Sequence, residues 1–247
     1  MSRLLVLQHL ERERPGLFVK LAEERGFSVC TFRLDLGDSL PEIKKGDLLL
    51  VLGGPMGIRD IGNPTFPWLK DEVSLIKKAL NQGVGIIGVC LGAQLLAYAA
   101  GGNIEVLKDG IFHQPLAEIG WDIVFPQLLE DNSGISKLLN YPFPVLHWHG
   151  DRIILPNTAK LIASSRRCKE QLFSIGTLAY GIQFHVEIND EMVNTWIIED
   201  EKFISSALGE NGQTILKQQQ KEFGDKSLDS RLEFLNKLFD LLNYSKL

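Results

Sequence analysis

Cysteine is scarce in this 247-residue sequence, which holds three. Cys30, Cys90 and Cys168 stand far apart with no C-x-x-C pair, which excludes a disulfide framework and a cysteine-rich zinc site and fits a reducing compartment. Positive charge is also short. Lys+Arg number 26 against 31 Asp+Glu, a net charge of −5, so no basic field invites nucleic acid or an anionic membrane. No apolar run approaches the roughly 20 residues of a membrane span. Met1-Ser2-Arg3 opens a short apolar stretch broken by Gln8 and His9, without the long apolar core of a secretory signal, and the expected location is cytoplasmic. A P-loop, internal repeats, low-complexity tracts and a clear interdomain linker are all lacking.

What remains is an ordinary globular composition, 45% hydrophobic and 23% charged, in a chain long enough to bury a substantial core. Leu4–Leu7 reads as a buried strand. Pro15-Gly16 opens a helix carrying Leu17, Phe18 and Leu21, and Gly26 stops it. Phe27–Leu34 reads as a second strand and Leu48–Leu52 as a third, an unbroken apolar run suited to a strand covered on both faces. A helix follows from Pro67 to Asn81. Strands alternating with helices imply an α/β fold with a mostly parallel central sheet flanked by helices, whose ligands sit beyond the carboxyl ends of the strands. Gly53-Gly54-Pro55 lies at such an end.

Later strands are expected at 104–107, 117–125, 145–148, 161–164, 171–175 and 179–184. They are too closely spaced for intervening helices, so antiparallel pairs or a small appended sheet are expected. A short helix is expected over 133–139. From Asn189 the pattern turns helical, and the last helix places Leu232, Leu235, Leu238, Phe239 and Leu242 on one face. The expected division is an α/β domain over 1–198 and a helical C-terminal extension, 199–247, packed on it.

The most informative stretch is Gly85-Ile86-Ile87-Gly88-Val89-Cys90-Leu91-Gly92-Ala93-Gln94, where an apolar strand meets a cysteine between two glycines and passes at once into a helix. This has the form of a nucleophile elbow, G-x-S-x-G with cysteine for serine. The glycines leave room for the sharp turn, and a helix N-terminus favours negative charge on the sulfur. A buried core cysteine on a strand–helix unit explains the same residues, so the rest of the chain must choose.

A cysteine nucleophile needs a base, and the base an orienting partner. Of five histidines, His185 ends an apolar strand with Glu187 two residues on, and side chains at i and i+2 of extended chain share a side. His113 and His147 read as ordinary polar residues and Cys168 as a structural thiol. The backbone N–H groups of Leu91 and Gly54 are the natural donors for a developing oxyanion.

The ordered set Gly53-Gly54-Pro55, Gly88-Val89-Cys90-Leu91-Gly92-Ala93-Gln94 and Phe184-His185-Val186-Glu187, supported by Glu118-Ile119-Gly120-Trp121, His149-Gly150-Asp151 and Ala163-Ser164-Ser165, resembles the triad-type, class I glutamine amidotransferases. The likeness is to free-standing relatives of the GMP synthase glutaminase domain and runs to about Trp196. It implies a flavodoxin-like fold, a γ-glutamyl thioester on Cys90, hydrolysis by water activated through His185, and no metal or organic cofactor. By the same resemblance Gln94 and the backbone around Trp148 and His149 hold the substrate's amino-acid head group. Two positions depart from the family pattern: Val186 stands where proline is usual between His and Glu, and Trp148 where serine is usual. Three functions remain open: cleavage of the glutamine γ-amide, γ-glutamyl hydrolase action on isopeptides, and a non-catalytic partner subunit. Any ammonia acceptor would sit on a separate synthetase protein.

Overall fold

The computed structural model describes residues 2–127 and 134–243. The elements in chain order are β1 (Arg3–Gln8), α1 (Leu17–Glu24), β2 (Ser28–Arg33), β3 (Leu48–Val51), α2 (Leu69–Gln82), β4 (Gly85–Val89), α3 (Leu91–Ala99), β5 (Asn103–Val106), β6 (Glu118–Pro126), β7 (Phe143–His149), β8 (Asp151–Ile154), β9 (Ala159–Ser164), β10 (Leu172–Ile175), β11 (Ala179–Ile182), α4 (Asp190–Glu199), α5 (Glu201–Leu208), α6 (Gly212–Phe223) and α7 (Leu228–Asn243). Nine strands form one mixed sheet in the order β2-β1-β3-β4-β11-β10-β9-β6-β7. It is parallel from β2 to β11 and antiparallel beyond. β5 and β8 pair separately as a small antiparallel sheet.

The parallel half explains its own sequence. Strand side chains alternate between faces, and here both faces of the inner strands are covered, so Leu4–Leu7 of β1 and Leu48–Val51 of β3 are apolar without a break, while the edge strand β2 keeps Ser28, Thr31 and Arg33. Leu4, Val6, Leu48, Leu50, Ile87 and Val89 point into one layer with Phe18 of α1 and Phe234, Leu235, Leu238 and Phe239 of α7. Leu5, Leu7, Leu49, Val51 and Ile86 point into the other, against Val73 and Ile76 of α2 and Leu91 and Leu95 of α3. The final helix therefore belongs to the core of the sheet. A third cluster joins Trp121 and Trp148 to Trp196 of α4, Ile204 of α5 and Leu216 of α6.

The antiparallel half curls until its outer strand returns to the chain after β11, where the His185 N–H donates to the Leu146 carbonyl of β7 at 2.8 Å. That contact brings the carboxyl ends of β4, β7 and β11 to one place. Two expectations change. The short helix over 133–139 is a single 3₁₀ turn at Ile135–Lys137, entered through Gly134 at φ 81°, and Ser133 lies outside the described residues. β8 was not anticipated, because four residues directly after the Gly150 turn carry almost no pattern of their own.

Candidate active site

Cys90 joins β4 to α3 with φ 51°, one of two non-glycine residues at positive φ among those described. The flanking glycines are required by contact with backbone. A Cβ on Gly92 would lie 2.0 Å from the Val51 carbonyl oxygen, and one on Gly88 would lie 2.4 Å from the Gly92 oxygen. Neither neighbour can rotate away, so strand and helix approach this closely only where both lack side chains. Gly92→Ala is expected to cost about 3 kcal/mol by forcing α3 off β3. Urea denaturation measures this, and wild-type stability would show that the elbow has slack.

Beside the sulfur lies His185, almost fully buried, with its Nδ1 2.7 Å from Oε1 of Glu187. The other Glu187 oxygen accepts from the Val186 N–H at 2.9 Å. Proline at position 186 could not make this bond, so the departure from the usual pattern adds a donor that fixes the carboxylate. The backbone around Glu187 is held from both ends of the chain: its carbonyl accepts from Leu17 N–H at 3.0 Å, while Arg231 of α7 donates to the carbonyls of Val186 and Ile188 at 3.1 and 2.7 Å. Gly16 must be glycine, since a Cβ there would sit 1.9 Å from the Glu187 oxygen. Burial opposes charge on His185, but Glu187 and Cys90 outweigh it and hold the imidazole pKa well above its ordinary value.

Gly54, Cys90, Gln94, Trp148, His149 and His185 line one cavity of about 290 Å³. The size suits a small polar metabolite rather than a large ligand. Leu91 is the first residue of α3, so its N–H has no partner within the helix, and no described group accepts from Gly54 N–H. Gln94 donates to Gln183 at 3.3 Å. The Trp148 carbonyl lies 3.9 Å from the Cys90 sulfur, and its indole N–H donates to Asp200 at 2.8 Å, which turns the large ring toward α4 and α5. The His149 side chain points away from the cavity, its Nδ1 on the Asp151 carbonyl at 2.9 Å, so it offers the cavity chiefly backbone.

His9 was not singled out in the sequence, yet it holds the glycine loop. Its Nδ1 lies 2.8 Å from the Gly53 carbonyl and its Nε2 2.9 Å from Glu72, with both side chains fully buried. Two acceptors require two ring N–H groups. Burial opposes the charge, but Glu72 and the Gly53 carbonyl raise the His9 pKa above 6.5. A raised folded-state pKa stabilises fully below the unfolded value of about 6.5 and is lost as pH rises through the folded one. The stability gap between wild type and Glu72→Gln is therefore expected to be widest below about pH 6.5 and to narrow as pH rises into the alkaline range. Denaturation across that range reads it, and a constant gap overturns the assignment.

Arg12, Glu13, Asp200 and Phe203 also line the cavity and were missed. Arg12 and Glu13 follow the carboxyl end of β1, where the strand-end rule could have flagged them. Asp200 and Phe203 carry no signal in the sequence. Among the described residues, Glu118, His147 and His149 bring three ligand-type atoms within 4.8 Å of one another. Glu118 Oε2 lies 3.1 Å from His149 Nε2 and accepts from the Gln171 amide at 2.7 Å, while His147 Nδ1 stands 3.6 Å from the same oxygen. An amide NH₂ supplies donors where a cation would need acceptors, so Glu118, His149 and Gln171 form a hydrogen-bonded strut between strands. His147 is no ordinary polar residue: it is fully buried, and burial pushes its pKa down to about 4.

The model of the family described as glutamine amidotransferase class-I matches residues 17–203. A glutamine amidotransferase-like protein, YfeJ, of Salmonella typhimurium is 30% identical over 213 residues, 84% of this chain and 84% of that protein. The glutamine-hydrolyzing GMP synthase of Borreliella burgdorferi is 27% identical over 70% of this chain but only 33% of its own length. Among solved structures, a glutamine amidotransferase from Thermotoga maritima superposes with a TM-score of 0.79 at 27% identity, covering 98% of each chain. One from Methylobacillus flagellatus gives 0.81 at 25% identity, covering 98% of this chain and 94% of its own.

Proposed function

Because the chain belongs to the class I glutamine amidotransferase family, whose model spans more than half of it, we propose that it cleaves the γ-amide of glutamine through a γ-glutamyl thioester on Cys90. The observation that carries this reading is the buried His185–Glu187 pair, 2.7 Å apart, beside a cysteine held at positive φ on a strand-to-helix elbow. In the first half-reaction the sulfur attacks the γ-carbonyl and His185 takes the thiol proton. The oxyanion rests on the N–H groups of Gly54 and Leu91, the C–N bond breaks, and ammonia leaves with the proton from His185. In the second, His185 deprotonates water, which hydrolyses the thioester to glutamate and restores the thiol. Glu187 keeps the ring oriented with Nδ1–H toward itself. Gln94 and the backbone of Trp148 and His149 hold the amino-acid head group.

A separate protein carrying the acceptor site fits the GMP synthase likeness, since this chain matches only a third of that relative's length. Among the described residues no helix is long and apolar enough to cross a membrane; a cytoplasmic location is part of the proposal. The test is incubation with glutamine and with γ-glutamyl dipeptides, reading glutamate release and, by mass spectrometry after an acid quench, a γ-glutamyl adduct on Cys90. Dipeptide turnover without glutamine turnover replaces the amidase by an isopeptide hydrolase. Activity only with an added synthetase subunit makes the chain a dependent glutaminase, and absence of both turnover and adduct under every condition makes it a non-catalytic subunit.

A further inference from the structure

One acidic side chain at the cavity has no role in the chemistry above. Glu13 lies on the turn after β1, its N–H bonded to the Leu10 carbonyl at 3.2 Å, and only 8% of its surface is exposed. Its place is fixed by a single point, the position a Cβ on Gly53 would occupy. Glu13 Oε2 is 2.8 Å from that point, His185 Cε1 3.4 Å and Cys90 Cβ 3.5 Å. The carboxylate thus stands beside the imidazole edge and next to the nucleophilic residue, and Gly53 leaves the space between them open. Among the described residues no hydrogen bond or ion pair occupies it. The nearby cation, Arg12, is instead drawn to Asp200 at 2.8 Å and Glu199 at 3.4 Å. Asp151 and Asp200 line the same cavity, but each has a guanidinium of its own, Asp200 that of Arg12 and Asp151 that of Arg59 at 3.3 Å.

A nitrogen leaving the thioester-forming carbon must collect its proton from the imidazole, which places it on the side of the ring where Glu13 sits. A carboxylate there accepts N–H from ammonia or an amine and repels a second carboxylate in a low-dielectric setting. We infer that Glu13 selects the leaving group, admitting γ-glutamyl amides whose departing nitrogen carries hydrogen, an uncharged alkyl group or a cation, and rejecting γ-glutamyl amino acids, whose departing nitrogen bears a carboxylate one carbon away. This deepens the amidase reading and rests on it for its substrates. Burial pushes the Glu13 carboxyl above its ordinary range, against the pull of His185 and Arg12 and with the push of Glu187 and Asp200, so the discrimination is best read at pH about 8.

The test compares wild type, Glu13→Gln and Glu13→Asp in two assays. The first is alkylation of Cys90 by neutral iodoacetamide and anionic iodoacetate, in which an S–C bond forms and iodide leaves. Its rates are normalised to 2-mercaptoethanol and followed by mass spectrometry of the peptide containing Cys90. Wild type is expected to disfavour iodoacetate, Glu13→Gln to lessen that bias by about tenfold, and Glu13→Asp to keep most of it. The second is kcat/KM for γ-glutamylethylamide against γ-glutamylglycine, whose ratio should fall by a similar factor in Glu13→Gln. An unchanged iodoacetate bias in Glu13→Gln overturns the inference while leaving glutamine turnover, and with it the amidase reading, intact. A shifted bias without any γ-glutamyl turnover sinks the amidase reading but keeps Glu13 as the charge filter of the cavity.

Discussion

Alanine in place of Cys90 is expected to abolish glutamate release from glutamine, by a factor on the order of 10⁴ or more, with little change in stability. The substitution removes one sulfur from a residue whose backbone is fixed by the glycines around it, so the elbow and the donors at Gly54 and Leu91 stay in place. No other thiol can substitute. Burial pushes Cys168 up to about 12, which keeps it protonated and inert, and Cys30 lies on β2, the outermost strand at the far edge of the sheet. Steady-state glutaminase assays with a denaturation curve on the same preparation measure both halves of the expectation. Residual turnover within tenfold of wild type would mean that water is activated directly and that the thioester mechanism is wrong.

Arg231→Met should be the most damaging change outside the cavity. Arg231 is 3% exposed, and its guanidinium donates to the carbonyls of Val186 and Ile188, to the Gly224 carbonyl at 3.1 Å and to Ser227 Oγ at 3.0 Å. Methionine fills similar space but leaves the two carbonyls flanking Glu187 unpaired in the interior. The expected cost is about 3–5 kcal/mol, or roughly 6–20 °C in Tm for a chain of this size. A positioning role adds a kinetic signature: at a temperature where the variant is folded, kcat should fall about tenfold or more while KM moves little, because the head-group contacts lie elsewhere. Arg231→Lys, which can reach one carbonyl but not fork across two, should fall between. A variant that loses stability but keeps wild-type kcat would restrict Arg231 to a structural role.

These two residues also mark how far the sequence could be read. Cys90 was legible because an elbow compresses its requirements into five consecutive positions, and the parallel strands because burial on both faces leaves uninterrupted apolar runs. His185 and Glu187 were legible as a candidate pair by their spacing at a strand end only because the elbow cysteine calls for a base and an orienting partner. Arg231, His9 and Glu13 were not. Each acts across 40 or more residues of chain, and an isolated arginine on an amphipathic helix, or a histidine and a glutamate in a polar loop, looks the same whether solvated or buried. The β5–β8 pair was only half visible for a related reason, since a four-residue strand takes its identity from its partner. Val186, noted in the sequence only as a departure from the usual proline, supplies the N–H that holds one carboxylate oxygen, and Arg231 grips the backbone on either side of Glu187.

The clamp on Glu187 also has a consequence in time. Its contacts come from Leu17 of α1 and Arg231 of α7, which lie far apart in the chain and on opposite sides of Glu187 in sequence. A folding chain in which β4 and β11 have paired can bring cysteine and histidine together, but until α7 docks it lacks both the layer that covers one face of the sheet and the grip on the backbone around the carboxylate. Closing so long a loop is slow compared with local helix formation. The covering of that face of the sheet and the fixing of Glu187 are therefore expected to be completed together, in the step that docks α7, so the thiol centre stays unfinished for as long as that core layer is open.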